Sequence, residues 1–139
     1  MYLLDTNTLS ELRRRGRMDA RVRAWARGIA HDQLFLSSIT LLEIEIGVLM
    51  LERRDPAGSA ILRAWVNQHV LPAFSGRILP VNEPVALRCG PLHVPNRRPD
   101  RDAMIAATAL THSLIVATRN VRDFAPMGVA VLNPWDWGI

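Results

Sequence analysis

Residues 101–118, RDAMIAATALTHSLIVAT, contain a helical pattern that leads directly into a short apolar run, and this junction indicates the fold class. The segment Arg101–His112 is strongly helical in character. Leu114–Thr118 is a run of the kind that forms a strand buried on both faces of a sheet. A helix that passes straight into such a strand is the repeating unit of α/β proteins.

The same alternation of helices and short strands extends over the rest of the chain. Further strands are predicted at Tyr2–Leu4, Leu34–Ser37, Ile78–Val81 and Val129–Leu132. Helices are predicted at Leu9–Arg15, at about Asp19–Ala30, from Ser38 or Thr40 to about Arg53, at Ala57–Phe74 and at Pro84–Gly90, and a proline-rich loop at Pro91–Pro99. Crossover helices between parallel strands cover both faces of a sheet. The pattern therefore predicts an α/β three-layer sandwich with a mostly parallel sheet of about five strands, forming a single domain over residues 1–139.

Arginine supplies the whole basic charge of the protein. All 17 basic residues are arginine, no lysine occurs, and the net charge is +4. Mechanisms that need a lysine are excluded, among them P-loop phosphate binding, Schiff-base chemistry, and the receiver-domain and haloacid-dehalogenase sites. The arginines cluster at residues 13–17, 21–27, 97–101 and 119–122. Such clusters suit contacts to phosphate groups, although an ordinary solvated surface explains any one of them equally well.

Composition also bears on location. No run of about 18 apolar residues is present, so no membrane span is expected. The N-terminus lacks the pattern of a secretory signal, and the single cysteine, Cys89, allows neither an internal disulfide nor a cysteine-rich metal site. A cytoplasmic protein is expected on these grounds.

Four acidic residues follow or precede the predicted strands at positions where the strand ends of a parallel sheet converge: Asp5, Glu43, Asp102 and Asp123. Each also suits a structural role when taken alone. Asp5 is a good helix cap, Asp102 suits a helix N-terminus, and Asp123 suits a loop. Glu43 is harder to explain in this way because its helix is mostly apolar. Glu45 lies about 200° away from it on the helix, so only one of the two reaches a given face.

The four acids together favour a metal site. Two carboxylates 4 Å apart repel by about 4 kcal/mol at an effective dielectric constant of 20. The chain has no lysine, and no arginine is expected inside the helices that carry these acids, so a divalent cation is the simplest compensation. Oxygen ligands select a hard ion such as Mg²⁺ or Mn²⁺. The four histidines are scattered without ligand spacing, which disfavours zinc.

Three segments resemble the signature blocks of PIN-domain ribonucleases, specifically the VapC/FitB-type toxins of type II toxin–antitoxin pairs. They are DTNTLSEL (5–12), SSITLLEIEIGV (37–48) and DAMIAATALTHSLIVATRNVRDF (102–124). They occur in the family's order and span nearly the whole chain. Two features depart from the family pattern. Cys89-Gly90 stands where a tryptophan often precedes the glycine, and Asp100 is an extra carboxylate beside Asp102.

The resemblance implies a PIN-like fold and an Mg²⁺- or Mn²⁺-dependent endoribonuclease, with an RNA substrate, a cognate antitoxin as partner, and a homodimer. By that resemblance the four acids named above are the catalytic and metal-binding quartet. The same resemblance makes three polar residues supporting members of the site: Asn7, Thr118 and Asn120.

From the residues, Asp5 and Asp102 are the expected principal ligands, Glu43 a further ligand or the group that orients water, and Asp123 a member of an outer position. Arginines around this acidic pocket would hold the RNA backbone. The alternative is a non-catalytic PIN-like subunit that binds RNA or serves in a DNA-binding repressor complex.

Overall fold

A computed structural model describes residues 1–139 and contains one sheet of five parallel strands in the order β3-β2-β1-β4-β5. The strands are β1 (Tyr2–Leu4), β2 (Leu34–Ser37), β3 (Ile78–Leu79), β4 (Ile115–Ala117) and β5 (Val131–Leu132). The first strand is the middle one: Leu3 is paired with Phe35 of β2 on one side and with Val116 of β4 on the other. Because all strands run the same way, their carboxyl ends meet at one edge.

Eight helices surround the sheet. They are α1 (Thr6–Arg13), α2 (Ala20–Arg27), α3 (Ser38–Glu52), α4 (Pro56–Trp65), α5 (Leu71–Ala73), α6 (Glu83–Cys89), α7 (Asp100–His112) and α8 (Val121–Phe124). A turn of π-helix over Val66–Val70 joins α4 to α5, so the chain is helical from Pro56 to Ala73. None of the helices combines the length and apolarity that a membrane crossing requires.

The core is divided by the sheet into two apolar clusters. On β1, Leu3 belongs to the cluster under α6 and α7, while the next residue, Leu4, belongs to the cluster under α1 to α4. On β4, Val116 and Ala117 are divided in the same way. Successive side chains of a strand point to opposite faces, so a short strand with no polar residue fills both layers.

The structure confirms the predicted three-layer α/β/α sandwich, and the sheet is wholly rather than mostly parallel. The predicted strands occur where expected, but β3, β4 and β5 are each two residues shorter than predicted. The first helix begins at Thr6 rather than at Leu9, because the Asp5 side chain accepts a hydrogen bond from the Thr6 N–H and starts the helix directly after β1.

Candidate active site at the carboxyl edge of the sheet

Asp5 lies at the end of the central strand and is only 4% exposed. Its Oδ1 accepts a hydrogen bond of 2.8 Å from the Thr6 N–H, which caps α1. Its Oδ2 accepts a bond of 2.7 Å from the Thr118 hydroxyl and one of 3.2 Å from the Asn7 side-chain amide. Asp5 can therefore cap a helix and serve as a ligand at the same time. Its Oδ1 caps α1, and its Oδ2 is oriented by the side chains of Thr118 and Asn7.

Thr118 and Asn7 tie the loop after β4 to the end of β1. Thr118 is fully buried, and its hydroxyl oxygen also accepts a 2.9 Å hydrogen bond from the backbone N–H of Asn120. The Asn7 Oδ1 accepts a 3.1 Å bond from the backbone N–H of Arg119. Asn120 enters this network through its backbone. The loop is thus held against the end of β1 by hydrogen bonds from two successive residues, Thr118 and Arg119, while the Asn120 bond lies within the loop.

Glu43 is on the second turn of α3 and points to the same edge. Its Oε1 accepts a 2.8 Å hydrogen bond from the hydroxyl of Thr6, and its side chain is 25% exposed. Glu45 instead forms a bidentate pair with Arg63 of α4, at 2.6 and 2.7 Å. Two glutamates so close in sequence therefore have different surroundings, because the helix turns them to different sides.

The expectation that no arginine lies inside the helices that carry the acids is wrong. Arg101 is in the first turn of α7, next to Asp102, and its Nη1 lies 3.7 Å from the Glu43 Oε2. The helix predicted at Arg101–His112 itself begins with this arginine, and the observed helix, which begins one residue earlier at Asp100, keeps it in the first turn. Part of the negative charge of the edge is therefore balanced by the protein itself.

The electrostatics of Asp102 show that the four acids share one region. Burial and the negative charges of Asp5, Asp123 and Glu43, in that order, raise the pKa of Asp102 to about 6. Burial also raises the pKa of Asp5, with a contribution from Asp123, against the lowering effect of the hydrogen bonds from Thr118, Thr6 and Asn7. Repulsion of this kind indicates that carboxylates from four separate segments lie near one another at this edge.

The arrangement is not a closed metal cage. No group of three or more histidine, cysteine, aspartate or glutamate side chains stands close enough to hold one metal ion. The donor set consists of carboxylate, amide and hydroxyl oxygens, which suits Mg²⁺ or Mn²⁺ rather than zinc. Mg²⁺ commonly keeps several waters and uses only one or two carboxylates directly, so the residues present fit such an ion.

Sequence reasoning missed Thr6, which belongs to this edge through its bond to Glu43. Arg101 is part of the arginine cluster predicted to hold RNA, but its contact with Glu43 was not predicted. Also missed were Asn133 and Asp136, which line a hollow of about 650 Å³ beside Asp123. A second hollow of about 560 Å³, mostly apolar and lined by residues such as Leu9, Trp65 and Phe74, contains none of the four acids.

Removal of the Asp102 charge should stabilise the metal-free protein at neutral pH. The folded pKa of about 6 lies above the ordinary value of 3.8, so the folded protein holds the Asp102 proton more tightly than the unfolded chain does. The stability that this proton contributes is fully present below about pH 4 and is lost as the pH rises through about 6. Allowing for solvent screening, Asp102→Asn should gain about 1 kcal/mol at pH 7.5 and nothing at pH 4. Thermal denaturation in EDTA at both pH values measures this, and a variant that is less stable at pH 7.5 would contradict it.

Comparison with known proteins shows the family to which the chain belongs. The PIN domain family matches residues 2–128. The chain is 39% identical to toxin FitB of Neisseria gonorrhoeae, over 97% of this chain and 99% of FitB. It is 34% identical to the VapC ribonuclease Y4jK of Sinorhizobium fredii, over 98% and 99% of the two chains. The solved structure of FitAB bound to an IR36 DNA fragment has a chain that is 38% identical, with a TM-score of 0.89 over 100% of this chain and 99% of that one. The protein therefore belongs to the PIN-domain family and, within it, to the VapC/FitB-type toxins of type II toxin–antitoxin systems.

Proposed function

We propose that this toxin is a metal-dependent endoribonuclease that hydrolyses RNA phosphodiester bonds at the edge occupied by Asp5, Glu43, Asp102 and Asp123. The observation that carries the proposal is the convergence of these acids, expressed in the raised pKa of Asp102. Gathering four negative charges costs free energy that Arg101 offsets only in part, and a bound cation would compensate the rest. Membership in the VapC group, whose relative Y4jK is a named ribonuclease, supports the same reaction.

Asp5 and Asp102 are the residues proposed to hold the principal Mg²⁺ or Mn²⁺ ion. Glu43 would ligate it directly or through water, and Asp123 would complete an outer position. A bound divalent ion supplies an activated water and stabilises the charge that develops on the phosphoryl oxygens. The chain's own task is orientation, and the Thr118 hydroxyl and the Asn7 amide support it by holding the Asp5 Oδ2 in one position.

Arginines near the acids would hold the RNA backbone that the acids repel. Arg119 and Arg122 line the hollow beside Asp123, and Arg101 lies beside Glu43. Arginine binds phosphate oxygens with two parallel hydrogen bonds and keeps its charge at any physiological pH. Binding to RNA should accordingly weaken steeply as the salt concentration rises.

A cognate antitoxin is the proposed protein partner, and a homodimer the proposed form of the toxin. Leu42 and Leu49 of α3 and Ile61 of α4 are 45%, 51% and 66% exposed, which is high for large apolar side chains. The apolar hollow between α1 and α4 is a further surface of this character. Apolar surfaces of this kind suit protein partners better than RNA.

Metal removal tests the proposal directly. RNA cleavage by the purified protein, freed of antitoxin, should require Mg²⁺ or Mn²⁺ and should stop in EDTA, because the acids alone repel the phosphate. Cleavage of single-stranded RNA is followed on gels, and re-addition of Mg²⁺ after EDTA is the control. Equal cleavage with and without the metal, or none in any divalent ion, would overturn the proposal.

The second candidate is a non-catalytic subunit of a DNA-binding complex. It is favoured by the FitAB structure, in which a chain of 38% identity is part of a complex bound to DNA. The complex of this protein with its antitoxin would then bind its operator with or without divalent metal, and the toxin alone would cleave no RNA. Measurements of RNA cleavage by the toxin alone and of DNA binding by the toxin–antitoxin complex distinguish the two functions.

A further inference from the structure

The hollow beside Asp123, called here the Asp123 hollow, is polar on nearly every side. It measures about 650 Å³ and is lined by Arg119, Asn120, Val121, Arg122, Asp123, Asn133 and Asp136. Val121 is its one hydrophobic residue. A hollow with cations, amides and carboxylates on its walls suits a ligand that carries both negative charge and hydrogen-bonding groups.

The walls of the Asp123 hollow come from the segments that follow β4 and β5. The two segments are joined where the Thr118 N–H donates a 3.0 Å hydrogen bond to the Leu132 carbonyl. Asn133 directly follows β5, and its Oδ1 accepts a 3.0 Å bond from the Trp135 N–H. Its Nδ2 donates a 3.2 Å bond to the Asp136 Oδ2. Asn133 and Asp136 are therefore held side by side, with one amide N–H and most of the carboxylate's accepting capacity still free.

The cationic wall is also ordered by contacts. The Arg119 guanidinium lies 5.1 Å from the centre of the Trp135 ring, and its backbone N–H is held by Asn7. Neither Arg119 nor Arg122 is among the arginines that form an ion pair with a carboxylate. Both guanidinium groups are therefore free to bind phosphate oxygens.

We propose that the Asp123 hollow is a nucleotide subsite, in which Arg119 and Arg122 bind a phosphate and Asn133 with Asp136 binds the base edge of an unpaired guanine. Guanine is the RNA base whose Watson–Crick edge carries two adjacent donors, N1–H and N2–H₂, next to the acceptor O6. A carboxylate accepts from both donors, and the free amide N–H of Asn133 donates to O6. Adenine offers this pair one donor and one acceptor, cytosine one donor and two acceptors, and uracil one donor between two acceptors.

The subsite deepens the proposed ribonuclease function and rests on it in one respect, since contact with Asp123 would place the bound nucleotide next to the cleaved bond. The Asn133 and Asp136 pair would then set a preference for guanosine at that position. Unpaired bases are the usual target of sequence-specific RNA binding, because their edges are free.

Binding of mononucleotides tests the subsite without any cleavage. In EDTA, 5′-GMP should bind about tenfold more tightly than 5′-IMP, which lacks the N2 amino group that donates to the charged carboxylate. Asp136→Asn should remove this discrimination, and Arg119→Gln should weaken both nucleotides alike. Titration calorimetry measures the affinities, and Asp32→Asn, an exposed aspartate that precedes β2 at the opposite edge, is the matched control.

The outcomes separate the two proposals. Equal binding of GMP, IMP and AMP, or discrimination that survives in Asp136→Asn, overturns the guanine subsite even if the protein cleaves RNA. Selective GMP binding that Asp136→Asn abolishes supports the subsite even if no cleavage is found, and the ribonuclease proposal alone then fails. If RNA is cleaved next to a guanosine, and replacement of that guanosine by inosine raises the KM about tenfold, both the subsite and the ribonuclease proposal are supported.

Discussion

Asp5→Asn is expected to lower RNA cleavage by at least about 100-fold while the protein remains folded. Asparagine is as good a helix cap as aspartate, so its side-chain oxygen can still accept the Thr6 N–H that starts α1. The substitution removes the negative charge at the Oδ2 position, which the Thr118 hydroxyl and the Asn7 amide orient. It therefore separates the two roles of this side chain, and only the role in metal binding is lost.

The chain offers a matched control for Asp5→Asn. Asp19 caps α2 by accepting from the N–H groups of Arg21 and Val22, and it is not among the acids that raise the pKa of Asp102. Asp19→Asn should keep both the fold and the cleavage rate. Initial rates in Mg²⁺ and thermal denaturation are measured for both variants. Wild-type activity in a folded Asp5→Asn protein would remove Asp5 from the site.

Trp25→Ala is expected to cost about 3–5 kcal/mol of unfolding free energy, the largest stability effect among the substitutions considered. Trp25 is 1% exposed and packs edge-on against the Tyr2 ring, with the ring centres 5.2 Å apart. Trp25 fills the layer between β1 and α2, and its truncation to alanine leaves a cavity in a closely packed interior. Urea denaturation followed by circular dichroism measures the loss.

Two further tryptophan variants make this prediction specific. Trp25→Phe keeps an aromatic ring against Tyr2 and removes the indole N–H, which is buried without a hydrogen-bond partner, so it should cost clearly less than Trp25→Ala. Trp137 is 44% exposed, and Trp137→Ala should cost less than about 1 kcal/mol. A loss at position 25 no greater than at position 137 would show that this layer can repack around the missing ring.

The strands and their parallel arrangement were predictable from the sequence because both faces of this sheet are covered. Segments such as Tyr2–Leu4 and Ile115–Ala117 contain no polar residue, and a short apolar run between helices has few alternatives to a buried strand. The start of α1 was not predicted at Thr6. Asp5 was weighed as a helix cap, but the apolar periodicity that marks the helix begins only at Leu9.

The candidate site was predictable to the level of its acids and, through the family resemblance, of Asn7, Thr118 and Asn120, but not to the level of its contacts. Asp5 and Asp123 come after predicted strands, and Asp102 lies in a short sequence motif. The order of elements along the chain is therefore enough to place these three acids at one edge of the sheet. The contacts of Thr6 and Arg101 with Glu43 join elements that are distant in sequence, and no local pattern encodes them. The participation of Asn133 and Asp136 depends likewise on β5 lying beside β4.

The central position of β1 determines when the candidate site is assembled during translation. The strand emerges first from the ribosome, yet one of its two neighbours, β4, is among the last elements to be made. Until then the Asp5 carboxylate has neither Thr118 to orient it nor Asp102 and Asp123 to face. Under the proposed function, a chain that ends before β4 lacks this arrangement of side chains and should not cleave RNA.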